Sequence, residues 1–439
     1  MQRTFSAYVL SALFASLTFA QQSVDLTLDE ALQRAIRYSK VLVASRARLD
    51  QAELRTNEVS TAKLPSLTFQ GGYTHLSPVP PFQFTPPFPN AEPVTIAPVI
   101  LDQTQMRLQL QQILFAGGRI RATEEAASEQ AHATADDYRN DERSVRLAVR
   151  QTYWNLYKLR ATRRTFDQTI QQLQARIHDA ENLLKAGLIN SSDVLKLRVQ
   201  LSTTRAQLLE LESQEQSFTV QLNNLVSLPL NTTIRLATEP NVSDSLNTDL
   251  DAIIKEALAT RPDLSASHAR VRAAEASIAS STAAWFPTIA LVASYLYANP
   301  NQRFLPNRKQ FDGTWDIGIS MSWNVWNWLQ PHYQIGQARA QYEQARAAAE
   351  LIAENTQVEI TQNYVALRPA RERISVAREA VAQAEDNYTQ IVNRFTAGLA
   401  TSTDVLEAES LLLQARTNEI AARIDYMLAH ARFLNAIGK

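Results

Sequence analysis

The 439-residue chain has no cysteine and only 10 glycines. Without cysteine it forms no disulfide, offers no thiolate for chemistry and carries no lipid-modified N-terminal cysteine. Alanine, leucine, glutamine, arginine and glutamate are abundant, which is typical of long helices rather than of a mixed globular enzyme. An excess of basic charge is also missing, because 43 lysines and arginines face 44 acidic residues, so we expect no nucleic-acid partner.

Long apolar runs are confined to the start of the chain. Residues 1–20 combine Arg3, an apolar stretch and a small-residue end at Ala20, and this pattern predicts a secretory signal peptide. No later run reaches eighteen apolar residues, so the sequence predicts no transmembrane helix. We therefore expect any contact with a membrane to be made by strands.

Motifs for catalysis, metal binding and cofactor binding are missing as well. The six histidines contain no pair spaced three or four apart, which argues against a metal site on a helix. No nucleophile elbow, P-loop or dinucleotide fingerprint occurs. The sequence thus predicts no enzyme, no metal and no cofactor.

One short motif occurs twice. KAGLINSSDVL at 185–195 matches TAGLATSTDVL at 396–406, and further matches extend the likeness over most of the chain. We infer two copies of one unit, residues 21–228 and 248–439, joined by a linker at 229–247. One strand is predicted in or beside this linker, at Thr232–Ala237.

Each copy is predicted to have the same element order. A helix opens it, with the capping-box pattern TLDE at Thr27, and Pro65 or Pro287 ends that helix. A strand pair, a very long helix, a tip turn and a return helix follow. The strand pairs are predicted at 66–114 and 288–326, and the tip turns at 186–193 and 397–404.

The long helices follow a seven-residue apolar pattern. In the first copy it runs Val149, Leu156, Arg163, Ile170, Ile177, Leu184, and a 3.5-residue repeat predicts coiled-coil packing. From Gly118 to Lys185 no proline occurs, so this helix would reach roughly 100 Å at ~1.5 Å per residue. Pro369 predicts a kink in the second copy.

The four predicted strands alternate apolar and polar residues. In TWDIGISMSWNVW (314–326) one face carries Trp315, Ile317 and Ile319. The alternation, the strand lengths and the clustered tryptophans indicate membrane strands rather than a soluble sheet. Four strands are too few to close a barrel, so several copies must pool them. The predicted fold class is mainly α with membrane β.

The signal peptide, the twofold repeat, the junction LFAGGRIRA (114–122) and the paired GLxxSxDVL-type turns resemble the TolC family of outer-membrane efflux proteins. The resemblance covers essentially the whole mature chain, although the second junction departs from it as NWLQPHY (327–333). It implies a homotrimer with a twelve-stranded barrel in the outer membrane and a helical tunnel in the periplasm.

The implied function is the exit duct of a tripartite efflux or type I secretion system. The implied partners are outer-membrane lipid, a periplasmic adaptor and an inner-membrane pump of RND, ABC or MFS type, while the cargo stays open. The alternative is a periplasmic coiled-coil adaptor. It accounts for the heptads and the signal peptide but not for four strands or a duplicated unit.

The resemblance also assigns the gate. Asp404 and Glu407 match the family's constriction ring, where carboxylates repeated in a trimer attract cations and raise one another's pKa values, and Asp193 matches a tether of the closed state. Phe395 and Ala400 stand where polar or basic tethering partners are expected.

Turn chemistry is the alternative for the acidic residues. Ser191 or Ser192, and Ser402 or Thr403, are natural N-caps, with Asp193 and Asp404 in the first helical turn, and Gly187 and Gly398 supply left-handed C-caps.

Overall fold

A computed structural model describes residues 23–97, 99–242 and 249–439. The predicted signal peptide, residues 1–20, lies outside these ranges, as do residues 243–247 of the predicted linker. Among the described residues, no helix has both the length and the apolar character needed to cross a bilayer.

The helices form two series of matching lengths. Counted over the described ranges, each series has helices of 11, 21, 67 and 35 residues. The first series is α1 (Leu28–Tyr38), α2 (Lys40–Ser60), α3 (Arg119–Lys185) and α4 (Ser191–Leu225), and the second is α5 (Leu250–Thr260), α6 (Pro262–Thr282), α7 (Gln330–Thr396) and α8 (Ser402–Ala436). The two series therefore correspond element by element, while the predicted boundaries at residues 228 and 248 stay predictions.

The strands are β1 (Ser23–Leu26), β2 (Ser66–His75), β3 (Phe82–Phe84), β4 (Val94–Ala97), β5 (Asp102–Phe115), β6 (Thr233–Leu236), β7 (Thr288–Asn299) and β8 (Asp312–Ser322).

The opening helix of each series is broken, so the prediction of one continuous helix is wrong. Ser39 (φ −59°, ψ 125°) separates α1 from α2, and Arg261 (φ −66°, ψ 130°) separates α5 from α6. In the second series Pro262 causes the break, because proline excludes the helical conformation at the residue before it. No comparable signal marks Ser39. The capping box between Thr27 and Glu30 is confirmed.

The chain divides into two compact units, each described by itself. The described residues of the helical unit are 23–43, 141–242, 249–257 and 358–439. The buried side chains of its helices follow the predicted seven-residue pattern. Each row of such residues forms a seam, along which one helix packs against another. Fully or nearly fully buried members are Val149, Leu156, Leu173 and Ala180 of α3, Leu197 and Leu222 of α4, and Ile360, Leu367 and Ile374 of α7.

A two-stranded parallel sheet completes the helical unit. β1 pairs with β6 in register, Ser23 opposite Thr233. The fully buried Tyr153 joins both strand ends: its hydroxyl donates to the Leu26 carbonyl at 3.0 Å and accepts from the Thr238 N–H at 3.0 Å. β6 confirms the strand predicted near the linker, whereas β1 was not predicted.

The strand unit comprises 44–140 and 258–357. Its four-stranded sheet is antiparallel throughout, in the order β2-β5-β7-β8. The sheet confirms the four predicted strands, although β8 ends at Ser322 rather than at 326. Because residues opposite each other on neighbouring strands point to the same face, the register decides which side chains form each face.

The register forms one face on which all four strands carry apolar residues. One row across the sheet is Phe69, Leu108, Tyr295 and Trp315, and the next is Leu67, Leu110, Ala293 and Ile317. The other face carries Thr68, Gln109, Ser294 and Asp316. Trp315 and Ile319 are each 72% exposed, so these side chains of the apolar face have no cover among the described residues.

The junction between the last strand and the long helix differs between the series. Gly117 and Gly118 adopt positive φ angles of 61° and 84° before α3, and Trp328 and Leu329 adopt 56° and 60° before α7. The second junction thus keeps the left-handed backbone without glycine, at a cost of roughly 1–2 kcal/mol per residue.

The proline-rich segment between β2 and β5 contributes no strand to the four-stranded sheet. It forms instead a small hairpin of β3 and β4, which the sequence did not predict.

Candidate functional site

Both long helices end in the same glycine motif. Gly187 has φ +72°; its N–H donates to the Leu184 carbonyl at 3.0 Å, and the Leu188 N–H donates to the Leu183 carbonyl at 2.9 Å. These are the two bonds of a Schellman motif. Gly398 repeats both bonds with φ +69°. A Cβ atom added at either glycine would meet no atom within 4 Å, so backbone conformation alone requires glycine.

The return helices start one or two residues earlier than the predicted N-caps imply. Asn190 and Thr401 are the N-caps, with extended backbones, and Ser191 and Ser402 are the first helical residues. Asparagine and threonine are both common N-caps, and the Thr401 side chain accepts from the Asp404 N–H. The predictions of Ser191 or Ser192 and of Ser402 or Thr403 as N-caps are therefore wrong by one or two positions.

The acidic residue three positions after each cap closes a capping box. Asp193 Oδ2 accepts from the Asn190 N–H at 3.3 Å, and Asp404 Oδ2 accepts from the Thr401 N–H at 2.7 Å. The Thr401 N–H, followed by its hydroxyl, lowers the pKa of Asp404 below the usual aspartate value. Within one chain this shift is opposite to the rise expected for a carboxylate ring.

A hydrogen bond joins the two tip turns. The Ser402 hydroxyl, which is 1% exposed, donates to Asp193 Oδ1 at 2.6 Å. Lys196 adds a second link, because its Nζ donates to Thr403 Oγ1 at 3.2 Å and lies 3.7 Å from Asp193 Oδ1. The Ser402 hydroxyl is the main cause that lowers the pKa of Asp193, so this carboxylate is held in its charged form.

Asp404 and Glu407 occupy a different position from Asp193. Both are exposed and lie one helical turn apart on α8, where residues three apart share a face. Asp404 and Glu407 therefore share one face of α8, whereas the Asp193 carboxylate accepts a hydrogen bond from Ser402.

An apolar cluster packs beneath the polar contacts of the tips. It contains the buried residues Ala180, Val194, Leu197, Phe395 and Val405, with Ala400 packed against it. Phe395 and Ala400 are the positions where the resemblance called for polar or basic tethering partners. In this chain they stabilise the tips through apolar contact instead.

Glu409 is a buried acidic residue of α8 that the sequence did not predict. Its side chain is buried (3% exposed), and neither carboxylate oxygen has a hydrogen-bond partner among the described residues. Burial raises its pKa to about 7, with Arg176 of α3 opposing part of the shift. The signal in the sequence was its spacing: Glu409 lies four residues after Val405 and three before Leu412, on the buried face of α8.

Comparison with known proteins identifies the family of this architecture. The family model described as outer membrane efflux protein matches residues 31–227 and 253–439. The chain belongs to this family. The efflux family consists of channel proteins rather than enzymes, and it assigns the chain to the outer membrane with its helical part in the periplasm. The adaptor alternative is not favoured.

Relatives of the efflux family agree with this assignment. Outer membrane efflux protein BepC of Brucella suis is 25% identical over 334 residues, which cover 76% of this chain and 71% of the relative. The VceC outer membrane protein of Vibrio cholerae has a TM-score of 0.77 at 21% identity, covering 94% of this chain and 96% of the other. The CmeC outer membrane channel of Campylobacter jejuni has a TM-score of 0.79 at 17% identity, covering 94% and 85%.

The left-handed glycines give a first prediction. We expect Gly398→Ala to destabilise the tip by about 1 kcal/mol, because alanine resists positive φ. Trypsin cleavage after Arg394 should then accelerate roughly fivefold. Gly336→Ala, in the open interior of α7, is the control and should leave this cleavage unchanged. Equal cleavage of Gly398→Ala and the parent protein would contradict the prediction.

Glu409 predicts a pH dependence of stability. Because its pKa is raised in the folded protein, its full stabilising contribution is present below the unfolded value of 4.5 and is lost as the pH rises through about 7. We expect Glu409→Gln to stabilise the protein at pH 8 by about 3 kcal/mol and to have little effect near pH 4.

The measurement is chemical unfolding followed by helical circular dichroism across that pH range. Ser410→Ala, on the exposed side of the same helical turn, is the control. A Glu409→Gln variant with the parent's pH profile would show that Glu409 does not cause the dependence.

Proposed function

We propose that three copies of this chain assemble into one channel, with a twelve-stranded barrel in the outer membrane and a helical tunnel in the periplasm. The observation that carries this proposal is the uncovered apolar face shared by all four strands. A face of this kind is stable against lipid, and four strands alone cannot close a barrel. Three chains of four strands supply the twelve strands of the barrel that the resemblance implies.

The tips of the return helices form the gate in this proposal. Asp404 and Glu407 are exposed on one face of α8, so a trimer would repeat this pair three times around the axis. Such a ring favours cations over anions at the constriction. The bond from Ser402 to Asp193 ties the two turns of one chain together, and its rupture would let the tips separate.

The partners in the proposal are a periplasmic adaptor and an inner-membrane pump. Channels of this family act as exit ducts for such assemblies. A pump of the RND, ABC or MFS type would supply the energy and select the cargo, while the adaptor would meet the tip turns. The shared shape of the two turns, each with a Schellman motif and a capping box, offers the adaptor repeated docking points.

The barrel is tested by electrophoresis before and after boiling. We expect the unboiled protein to migrate as a compact trimer and the boiled protein as a monomer. Ile319→Arg places a charge on the apolar face and should abolish the compact band, since it costs roughly 2–4 kcal/mol per strand in lipid. Ser320→Arg, on the opposite face, should retain it. A detergent-free monomer at every temperature would refute the assembly.

The gate is tested by conductance in planar bilayers. We expect Asp404→Asn combined with Glu407→Gln to lower the ratio of cation to anion permeability toward one, because the ring loses its charge. Glu372→Gln, an exposed carboxylate elsewhere on α7, is the control and should leave the ratio unchanged. If the double variant keeps the parent selectivity, the ring lies elsewhere.

A further inference from the structure

The apolar seam of the first helix series is interrupted by two charges that the second series lacks. Arg163 of α3 and Glu215 of α4 occupy seam positions, and their counterparts 211 residues later are Ile374 and Tyr426. Ile374 and Tyr426 are buried in one apolar cluster. The second series therefore has the same architecture with an apolar pair at these positions. Replacing a buried ion pair by apolar residues is often neutral or stabilising for a protein. Packing gives no reason to retain the charges.

Glu215 is shared by two arginines. Its Oε1 lies 2.8 Å from Arg160 Nε, and its Oε2 lies 3.0 Å from Arg163 Nη1, while its side chain is 13% exposed. Arg160 is held further by donating from Nη1 to the Ile234 carbonyl of β6 at 2.7 Å. The Nε of Arg163 is buried and has no hydrogen-bond partner among the described residues. The Nε–H donor of Arg163 thus has no acceptor among the described residues, and it lies beside the ion pairs of Glu215.

These residues line an open cavity of about 390 Å³. Two more arginines, Arg164 and Arg235, line the same cavity, together with the ring of Tyr157. Arg235 pairs with Asp25 at 3.0 Å, whereas Arg164 is exposed and forms no ion pair with any residue in the described ranges. Four guanidinium groups therefore line this cavity. Among the described residues that line it, Glu215 is the only carboxylate, and it already pairs with Arg160 and Arg163.

We propose that this cavity binds an oxyanion, the phosphate or carboxylate group of a molecule present in the periplasm. Planar guanidinium groups bind phosphate and carboxylate through paired hydrogen bonds, and arginine keeps its charge at every relevant pH. Arg160 and Arg163, positioned by Glu215, form the fixed wall of the site. Arg164 supplies the charge that has no partner among the described residues, and the cavity volume is within the range of small-molecule sites.

The position of the site separates it from the conducting function. All of its residues belong to the helical unit, where β6 and its parallel partner β1 pack on the helices. The gate residues Asp404 and Glu407 do not line the cavity. An anion bound here would link α3, α4 and β6, and would stabilise that part of the unit without blocking the tips.

The test is calorimetric titration of the full-length protein in detergent, with inorganic phosphate and with citrate in separate experiments at constant ionic strength. We expect saturable binding of at least one anion, with one site per chain. Tighter phosphate binding identifies a phosphate ligand, and tighter citrate binding identifies a carboxylate ligand. Binding of neither anion overturns the proposal.

Two variants assign the binding to this cavity. Arg164→Gln should weaken it about tenfold, because one charged hydrogen bond is lost. Arg163→Ile with Glu215→Tyr copies the pair of the second series and should abolish binding while the helical circular dichroism is retained. Arg368→Gln, an exposed arginine of α7, is the control. Unchanged affinity in Arg164→Gln overturns the assignment, whether or not the double variant folds.

Discussion

The backbone of a strand at a sheet edge has to find hydrogen-bond partners, and a bilayer offers none. In this chain the edges are β2 and β8, each with one paired side and one open side. The apolar face of the sheet is stable against lipid, whereas the unpaired backbone groups at its edges are not. In the proposed assembly both demands are met, because β2 of one chain pairs with β8 of the next. Pairing between chains would then satisfy the backbone groups of both edges.

The two helix series share one architecture but differ in their side chains. The helix lengths agree, yet glycine at the first strand-to-helix junction becomes Trp328 and Leu329 at the second. An apolar pair in one seam is an arginine and a glutamate in the other. At the tips, Asp193 turns inward to a serine, while Asp404 stays exposed. Because the two series share a backbone but differ in side chains, equivalent positions of one chain can have different functions.

Local sequence signals predicted the local structure well. Seven-residue periodicity, strand alternation and the tip glycines correspond to elements of the structure. The break before Pro262 was not predicted, and the kink at Pro369 stays a prediction. Features that depend on distant contacts were out of reach. The pairing of β1 with β6 joins residues about 210 positions apart, and the hydroxyl of Ser402 meets Asp193 across a similar separation. No local preference specifies such partners.

The remaining misses have different causes. Asn190 and Thr401 were passed over as caps because neighbouring serines satisfy the same preference, and only backbone angles distinguish them. The break at Ser39 has no proline or glycine to announce it. Glu409 was overlooked because acidic residues usually lie on solvated faces, although its spacing on α8 placed it on the buried one.

The 2.6 Å bond between Ser402 and Asp193 restricts how this gene can change in length. A residue deleted from α3 would draw its tip back by about 1.5 Å and turn it by about 100°, and the serine and aspartate would no longer meet. The loss of a whole heptad would preserve the rotation but still offset the tips by roughly 10 Å. Keeping the two tips in contact therefore requires matched lengths of α3 and α7 and of α4 and α8. Their equal counts of 67 and 35 residues meet that requirement.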